Sequence, residues 1–423
     1  MVEYRTTLSA QTGFFRTAGG LVCDGVALAS IAAAEGTPVY VYSAAVFRER
    51  YTAIDRAFGA YPHAIHYALK ANSTLAIARL LRGLGSGADA NSMWEVEVAR
   101  RAGFDPSSIV FTGVGKSPAE LECAVALGVK AVNVESAGEL GRIEAIAMRL
   151  GTIARVAVRV NPDIDAESHP HISTGLRINK FGLPRDQATE LFASIAARPV
   201  LRLVAVHLHV GSQITSLEPL QRAAREAGAL SRTLLDAGFP LEYVDLGGGL
   251  GIAYDDRQPP AIDAYVSALV AEVQATRLPV VVEPGRVIAG PAGALIARVT
   301  DIKPRDEGSD FAVIDAGMTE LLRPALYGAY HRIEPVVAGA PDERTYEVVG
   351  PVCESSDVIG RDRRLPRLAV GDLVAIRDAG AYGSVMASNY NRRPLPCEVL
   401  VDRGTWSVIR RRQTVDDQLA LES

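Results

Sequence analysis

The chain has 423 residues, of which 48% are hydrophobic and 22% are charged, and its formal net charge is −5. These values are ordinary for a folded protein of two or three domains, and they exclude a disordered chain, a fibre and a small disulfide-stabilised scaffold. A weakly acidic chain also argues against a general nucleic-acid binder, which needs a basic surface.

Four cysteines, at positions 23, 123, 353 and 397, form no CxxC pair and have no histidine at metal-binding spacing. We therefore expect reduced thiols, no metal site and a cytoplasmic location. The N-terminal sequence MVEYRTTLSAQTGFF lacks the basic-then-apolar order of a signal peptide. No uncharged apolar run approaches the roughly 18 residues of a transmembrane helix, so we expect no membrane span.

Residues 37–288 alternate short β-branched runs with amphipathic helical stretches. Eight strands are predicted, at 66–70, 88–90, 109–112, 131–134, 156–160, 203–210, 243–246 and 280–283. Helices are predicted between them at 73–84, 93–102, 118–127, 218–237 and 262–276, several with a capping serine (Ser73, Ser92 and Ser117). This alternation predicts an α/β fold, a parallel (β/α)8 TIM-like barrel. The strand at 39–42 and the helix after it are expected to precede the first barrel strand.

The pattern changes after residue 288. Short strands separated by Gly, Pro and Asp are predicted at 295–299, 311–314, 346–349, 373–376, 398–401 and 406–409, with no long helical stretch between them. This arrangement predicts a C-terminal antiparallel β-domain, a sandwich or barrel. Residues 18–30 also resemble strands, so residues 1–36 are expected to join residues 289–423 in that domain.

Barrel enzymes build their sites at the carboxyl ends of the strands. The residues at the predicted strand ends are Lys70, Asp89, Gly113, Glu135, Asn161, His209, Gly247, Gly248, Gly249 and Glu283. A lysine, a histidine, three glycines and a glutamate on four separate strands of one barrel indicate a site.

Each of these residues also has a purely structural interpretation. Lys70 is either a desolvated amine that attacks carbonyls or a side chain that extends to solvent. The glycines 247–249 either leave backbone N–H groups open to a phosphate or form a tight turn. Glu283 either binds a ring nitrogen or pairs with Arg286, and His209 either stacks on a flat cofactor or fills the core. Taken together, the four features describe a pyridoxal-phosphate site, and no metal-ligand spacing or GxSxG motif competes with them.

Several motifs resemble the fold-type III pyridoxal-phosphate-dependent decarboxylases, whose barrel is like that of alanine racemase. They are, in order, residues 67–72 (YALKAN), 209–213 (HVGSQ), 245–249 (DLGGG) and 283–286 (EPGR). Residues 169–182, 315–327 and 350–357 are similar to the diaminopimelate decarboxylase branch. The resemblance implies that pyridoxal 5'-phosphate is the cofactor and that meso-2,6-diaminopimelate is decarboxylated to L-lysine, the last step of lysine biosynthesis. It also implies a homodimer with active sites shared across the interface.

The resemblance further implies roles for individual residues. Lys70, His209 and Cys353 would be catalytic: Lys70 would join the cofactor covalently, His209 would stack on its ring, and Cys353 would donate a proton. Glu283 would pair with the ring nitrogen. The cofactor would also contact Asp89, Ser212, Gly247, Gly248, Gly249, Gly285, Arg286 and Tyr382. The substrate would contact Arg286, Arg323, Tyr327, Glu354 and Tyr382, and the partner subunit would supply Cys353 and Glu354.

One stretch departs from the family pattern. After Asp89 the family has small residues where this chain has Met93 and Trp94, although Ser92 and Glu95 match. We expect Trp94 to pack on the adjoining helix, which would change the local shape and leave the chemistry intact.

Three other functions fit parts of the sequence. The nearest is decarboxylation of ornithine, arginine or a carboxylated polyamine, against which the paired arginines and residues 353–357 argue. An alanine racemase is disfavoured because its second catalytic tyrosine motif is not evident. A regulator without catalytic activity is disfavoured because both Lys70 and Cys353 are present.

Overall fold

The computed structural model describes residues 13–165, 179–255, 257–337 and 342–422. The chain divides into two compact units, which we name the barrel unit (Arg50–Ile288) and the β unit (Met1–Glu49 with Ala289–Ser423). Of the family-like stretch at 169–182, residues 169–178 lie outside the described residues.

The barrel unit is built on eight parallel strands. They are His63–Ala68, Gly87–Ala90, Ile109–Phe111, Ala131–Val134, Ala154–Asn161, Leu201–His207, Tyr243–Asp245 and Val280–Val282. Each strand pairs with the next along the chain, and Val280–Val282 pairs with His63–Ala68 to close the sheet. A two-residue strand, Leu183–Pro184, pairs beside Ala154–Asn161. The predicted (β/α)8 barrel is confirmed.

Helices connect the barrel strands. They are Leu75–Gly83, Met93–Ala102, Pro118–Leu127, Ala137–Leu150, Arg185–Ala196, Glu218–Asp236 and Ile262–Val273. A further helix, Ala44–Phe58, begins among residues of the β unit and ends among those of the barrel unit. None of the helices in the described part of the chain is long and apolar enough to cross a membrane.

Two of the three predicted helix caps are confirmed. The Ser92 side chain accepts the N–H of Glu95, and Ser117 forms a capping box with Glu120. The cap predicted at Ser73 is wrong, because helix Leu75–Gly83 begins one residue later.

The residue before that helix is Thr74, whose side chain makes no capping bond. The Thr74 N–H donates instead to Asn72 Oδ1 at 3.1 Å, so a side-chain turn that spans Ser73 sets the start of the helix.

The expected packing of Trp94 is also wrong. Helix Met93–Ala102 buries Val96, Ala99 and Ala102, which lie three residues apart on one face. Trp94 lies outside that face, and 83% of it is exposed.

The β unit contains a small N-terminal sheet and a larger mixed sheet. Its strands are Phe14–Thr17, Gly20–Cys23, Val26–Ala27, Val39–Ser43, Gly293–Lys303, Asp310–Ile314, Ile333–Pro335, Glu343–Val349, Val358–Pro366, Leu373–Ile376, Cys397–Asp402 and Thr405–Arg410. Its α-helices within the described residues are short, namely Leu28–Glu35, Arg323–Tyr327 and Val415–Leu419.

The larger sheet differs from prediction in two ways, the first of which concerns strand Val39–Ser43. This strand belongs to the β unit, not to the predicted barrel range of 37–288, because it lies between Gly293–Lys303 and Cys397–Asp402. All five of its residues are buried, as expected for a central strand covered on both faces. Its pairing with Cys397–Asp402 is parallel, as is that of Asp310–Ile314 with Glu343–Val349, so the sheet is not purely antiparallel.

Lys116 and Glu139 form a buried ion pair at the carboxyl edge of the barrel. Lys116 Nζ lies 2.7 Å from Glu139 Oε1, and only 2% and 4% of the two side chains are exposed. The ammonium also donates to the carbonyl oxygen of Asn133 at 2.9 Å. This pair joins the loop after strand Ile109–Phe111 to helix Ala137–Leu150, which follows the neighbouring strand.

We expect Lys116→Met to destabilise the protein by about 3 to 5 kcal/mol, because it leaves the Glu139 carboxylate buried and unpaired. The double variant Lys116→Met/Glu139→Gln should recover much of that loss, since the orphaned charge is gone. Urea unfolding followed by circular dichroism measures both effects. Arg149→Met, which breaks an exposed pair with Glu122, is the matched control. A Lys116→Met variant no less stable than this control would contradict the prediction.

Candidate functional site

Lys70 lies at the carboxyl edge of the barrel, in the turn Leu69–Ala71 that follows strand His63–Ala68. Its Nζ lies 3.4 Å from Asp89 Oδ2 and 3.4 Å from Asn91 Oδ1. The Asp89 carboxyl is fully buried, whereas a third of the Lys70 side chain is exposed. The amine is therefore oriented by the neighbouring strand and remains accessible.

His209 lies just past strand Leu201–His207 and is half-buried. Its Nδ1 is 3.1 Å from the N–H of Gly248, so Nδ1 accepts that hydrogen bond and carries no proton. Burial, followed by the positive charges of Lys70 and Arg159, lowers the pKa of His209 well below its usual value. The imidazole is thus neutral, with a face suited to stacking on a flat ring.

The glycine turn after strand Tyr243–Asp245 requires glycine. Gly247 and Gly249 have φ values of 61° and 122°, where a side chain is strained. A Cβ on Gly247 would lie 2.7 Å from the carbonyl oxygen of Leu208. The tight-turn interpretation is therefore correct, and it is compatible with the phosphate interpretation, because the N–H of Gly249 donates to none of the residues described. The same is true of Gly285.

Arg286 lies beside this turn with its guanidinium buried. Its Nη2 donates to Ser212 Oγ at 3.0 Å and its Nη1 donates to the Tyr254 hydroxyl at 2.8 Å. The guanidinium carbon also lies 5.8 Å from the centre of the Tyr254 ring. The alternative interpretation, an ion pair of Arg286 with Glu283, is not seen among the described residues, because the Arg286 guanidinium bonds Ser212 and Tyr254 and the Glu283 carboxylate lies beside His207.

Glu283 directly follows strand Val280–Val282 and is 4% exposed. Its Oε2 lies 3.3 Å from His207 Nε2, and its Oε1 has no hydrogen-bond partner among the described residues. Burial raises the pKa of the Glu283 carboxyl, but the interaction with His207 and the charge of Lys70 outweigh burial and hold this pKa below its usual range. Glu283 is therefore an ionised carboxylate with one oxygen available.

These features fit the cofactor that the sequence implies. Pyridoxal phosphate needs an amine, a partner for its ring nitrogen, a flat neutral face and a phosphate cradle. Lys70, Glu283 and His209 supply the first three. Gly249 and Gly285 present N–H groups for the fourth, beside the Ser212 hydroxyl.

Two other predicted strand ends, Gly113 and Glu135, meet at one buried ion pair, and a third, Asn161, bonds the loop beside it. Glu135 Oε1 is 2.9 Å from Arg159 Nη1 and accepts the N–H of Gly113 at 3.2 Å. Glu135 Oε2 accepts the N–H of Gly182 at 2.9 Å. Asn161 Nδ2 donates to the carbonyl oxygen of Phe181 at 3.1 Å, next to Gly182 in the sequence. These contacts hold the carboxyl ends of neighbouring barrel strands together.

The remaining predicted site residues lie in the β unit. Arg323 begins helix Arg323–Tyr327 and is buried. Its Nη1 is 3.0 Å from His331 Nε2, while His331 Nδ1 is 2.8 Å from the Arg377 carbonyl oxygen. A proton on Nδ1 must donate to that carbonyl, so Nε2 accepts from Arg323 and fixes its direction. Tyr327, at the other end of the helix, is half-buried.

Cys353 and Glu354 are exposed, but their positions are fixed by residues 390 and 391. The Cys353 N–H donates to Asn391 Oδ1 at 3.1 Å, and the Tyr390 hydroxyl donates to Glu354 Oε2 at 3.0 Å. The Cys353 thiol itself is free, as are the other three cysteines. Tyr382 has a φ of 55°, an unusual conformation for tyrosine that is typical of functional loops.

The sequence prediction missed His207 and Asp245 as members of the site. Both are fully buried and lie near Glu283. The spacing in the sequence was a signal for both, because residues two apart on a strand face the same side. His207 lies two positions before His209, and Asp245 lies two positions before Gly247.

Residues 44–290 match the family model described as pyridoxal-dependent decarboxylase, pyridoxal binding domain. The chain is 45% identical to the diaminopimelate decarboxylase of Vibrio cholerae over 406 residues, which covers 96% of this chain and 97% of the relative.

Solved structures show the same similarity to diaminopimelate decarboxylases. Diaminopimelate decarboxylase from Helicobacter pylori complexed with L-lysine aligns with a TM-score of 0.90 and 41% identity, covering 93% of this chain and 98% of that one. The enzyme from M. jannaschii, also in complex with L-lysine, aligns with a TM-score of 0.91 and 36% identity, covering 97% and 98%. Both units are thus matched.

His66 provides a pH-dependent prediction for the barrel interior. It is buried on strand His63–Ala68, and burial, followed by the charge of Lys130, lowers its pKa to about 4. The unfolded value is about 6.5, so the unfolded chain binds more protons between these values. The stability contributed by neutral His66 is therefore present above about pH 6.5 and is lost as the pH falls towards 4.

We expect the unfolding free energy of the wild type to fall relative to that of His66→Gln by about 1.5 kcal/mol between about pH 6.5 and about pH 5. Urea titrations of both proteins at each pH give this difference directly. Parallel pH profiles for the two proteins would show that His66 does not titrate as described.

Proposed function

The chain belongs to the pyridoxal-dependent decarboxylase family, and from that premise we propose that it decarboxylates meso-2,6-diaminopimelate to L-lysine and CO2. The observation that carries this proposal is that similarity to diaminopimelate decarboxylases extends over nearly the whole chain, including the β unit. A reaction of this kind would be the last step of lysine biosynthesis.

The barrel unit would bind pyridoxal 5'-phosphate. When bound, this cofactor supplies an electron sink for the carbanion that remains after CO2 departs. Lys70 would join it covalently, with Asp89 and Asn91 orienting the amine at 3.4 Å. The phosphate would be held by Ser212 and by the backbone N–H groups of Gly249, Gly285 and Arg286. Gly247 and Gly248, whose N–H groups donate to Asp245 Oδ1 and His209 Nδ1, would shape the turn that contacts the cofactor.

Glu283 and His209 would control the electronic state of the ring. Glu283 is ionised and buried, so its available oxygen would accept a hydrogen bond from a protonated ring nitrogen and stabilise that proton. A protonated nitrogen is the stronger electron sink. His209 is neutral and would stack on the ring without adding a positive charge that opposes the proton.

The far end of the substrate, which carries a second amine and carboxylate, would be recognised by the arginines. Arg286 and Arg323 would bind the carboxylate with guanidinium forks, and Tyr327 and Tyr382 would contact the same region. Glu354, exposed and acidic, would face the ammonium group. A substrate without the distal carboxylate would leave the buried Arg323 uncompensated.

Cys353 would protonate the former α-carbon. A thiol is an effective general acid only where its position is fixed, and the hydrogen bond from the Cys353 N–H to Asn391 fixes the backbone there. We propose a homodimer in which Cys353 and Glu354 act on the partner subunit's substrate. A cytoplasmic location would suit the four free cysteines.

The proposed reaction is tested by measuring CO2 release from meso-diaminopimelate, with ornithine, arginine and L-lysine as alternative substrates. We expect release from diaminopimelate and little or none from the others. Preferential release from ornithine or arginine would overturn the substrate assignment in favour of another basic amino acid.

Arg323→Ala is expected to lower kcat/KM for diaminopimelate at least about 30-fold, because a buried charge pair with the distal carboxylate is lost. Arg323→Lys should recover only part of the loss, since an ammonium cannot form the two parallel bonds. Arg361→Ala, which removes an exposed arginine of the same unit, is the control. A near-normal kcat/KM for Arg323→Ala would remove Arg323 from the substrate site.

Cys353→Ala is expected to lower kcat by about 100-fold or more, the usual contribution of a general acid. Cys123→Ala replaces the other exposed free cysteine and should leave kcat unchanged. Steady-state decarboxylation measures both variants. Equal kcat values for Cys353→Ala and the wild type would mean that another group delivers the proton.

A further inference from the structure

A buried cluster lies inside the barrel unit next to the proposed cofactor site. It consists of His207, Asp245 and Glu283, whose side-chain nitrogen and oxygen atoms come within 4.8 Å of one another. His207 and Asp245 lie opposite each other on paired strands, and Glu283 directly follows the adjoining strand. The proposed reaction uses only Glu283, so the presence of the other two requires an explanation.

The cluster is held by specific hydrogen bonds. His207 Nε2 lies 3.3 Å from Glu283 Oε2, and Asp245 Oδ1 accepts the N–H of Gly247 at 3.0 Å. The carbonyl oxygen of Gly247 in turn accepts the N–H of Glu283 at 2.7 Å. Asp245 and Glu283 are thus both tied to the same glycine, which fixes them relative to each other.

Asp245 Oδ2 and Glu283 Oε1 accept no hydrogen bond from the other residues described, and the two carboxyl groups are close enough to share one when either is protonated. Two neighbouring carboxylates in a buried site repel each other strongly, so such a pair retains one proton. The question is which of the two carboxyl groups holds it.

We propose that His207 and Asp245 are positioning residues for Glu283: His207 engages one Glu283 oxygen, and Asp245 keeps the shared proton, so that the charge and the second oxygen of Glu283 are directed to the ring nitrogen of pyridoxal phosphate. This inference rests on the proposed function only in taking that cofactor as the ligand.

The electrostatics of the barrel interior support this distribution of protons. Burial, and then the charge of Glu283, raise the pKa of Asp245 well above its usual value. The pKa of Asp89 is raised for the same two reasons, whereas that of Glu283 is lowered. The titratable groups that interact with Glu283 or its neighbours from the surrounding strands and turns are His66, Lys70, Asp89, His207, His209, Tyr243, Asp245 and Tyr265.

The His207 part is tested with His207→Leu and His207→Gln. Pyridoxal-phosphate affinity is measured on the apoprotein by equilibrium dialysis, and the visible band of the bound cofactor is titrated with pH. His207→Leu should weaken affinity about ten-fold or more and move the titration, because Glu283 loses its hydrogen bond. His207→Gln can still donate that bond and should restore most of both properties. Wild-type affinity and titration in His207→Leu would overturn the proposal.

The Asp245 part is tested with the isosteric variant Asp245→Asn, which is expected to fold. If Asp245 holds a proton, an amide N–H replaces its O–H, no charge is lost, and the titration of the bound cofactor should move by less than about 0.3 pH units. If Asp245 is ionised, the variant removes a negative charge beside Glu283, and the titration should move by about one unit or more, which would overturn the proposal.

These measurements separate this inference from the proposed function. A wild-type protein that binds no pyridoxal phosphate would contradict the proposed function itself. A wild type that binds the cofactor and decarboxylates diaminopimelate, together with unaffected His207→Leu, would contradict only the positioning role. Circular dichroism and thermal melting of each apoprotein variant identify any loss of fold, in which case His207→Phe replaces His207→Leu.

Discussion

One buried negative charge constrains the interior of the barrel. Glu283 has lost most of its contact with water, so its ionised form must be stabilised by the protein itself. His207 and Lys70 supply that stabilisation. Burial, and then this charge, raise the pKa values of Asp89 and Asp245, because three ionised carboxylates in one dry interior would repel one another. Burial and the charge on Glu283 together therefore favour the protonated forms of the two aspartates.

The polar groups of the barrel interior lie next to a packed layer that is made mostly of alanine and valine. The interior cluster is formed by Ala131, Ala157, Val204, Ala205, Tyr243 and Val281, with Ala64 packed against it. Polar residues stand two positions further along several of these strands, namely His66, Asn133, Arg159, His207, Asp245 and Glu283. Residues two apart on a strand face the same side. Each of these strands therefore contributes one residue to the packed layer and a polar residue to the layer next to it, nearer the carboxyl ends of the strands.

Much of this arrangement could be predicted from the sequence, because it depends on local periodicity. Alternating strands and helices define the barrel, and Ser92 and Ser117 show where two helices begin. Contacts between distant residues could not be predicted in this way. Val39–Ser43 has the pattern of any buried strand, and only its partners assign it to the β unit. Strand periodicity places His207 on the same side as His209, but its hydrogen bond to Glu283, which is 76 residues away, is visible only in the structure.

In the β unit, hydrogen bonds fix the positions of exposed groups such as Cys353. Its Asp357 is buried and accepts the N–H groups of Met318 at 2.6 Å and Val352 at 2.8 Å, so it holds the loop that leads to Cys353. Asn391 takes a left-handed conformation, φ 53°, and bonds the Cys353 N–H directly. The proton transfer proposed for the Cys353 thiol depends on this backbone geometry, because the side chain itself is exposed. The barrel unit thus controls charge by burial, whereas the β unit controls position by hydrogen bonds.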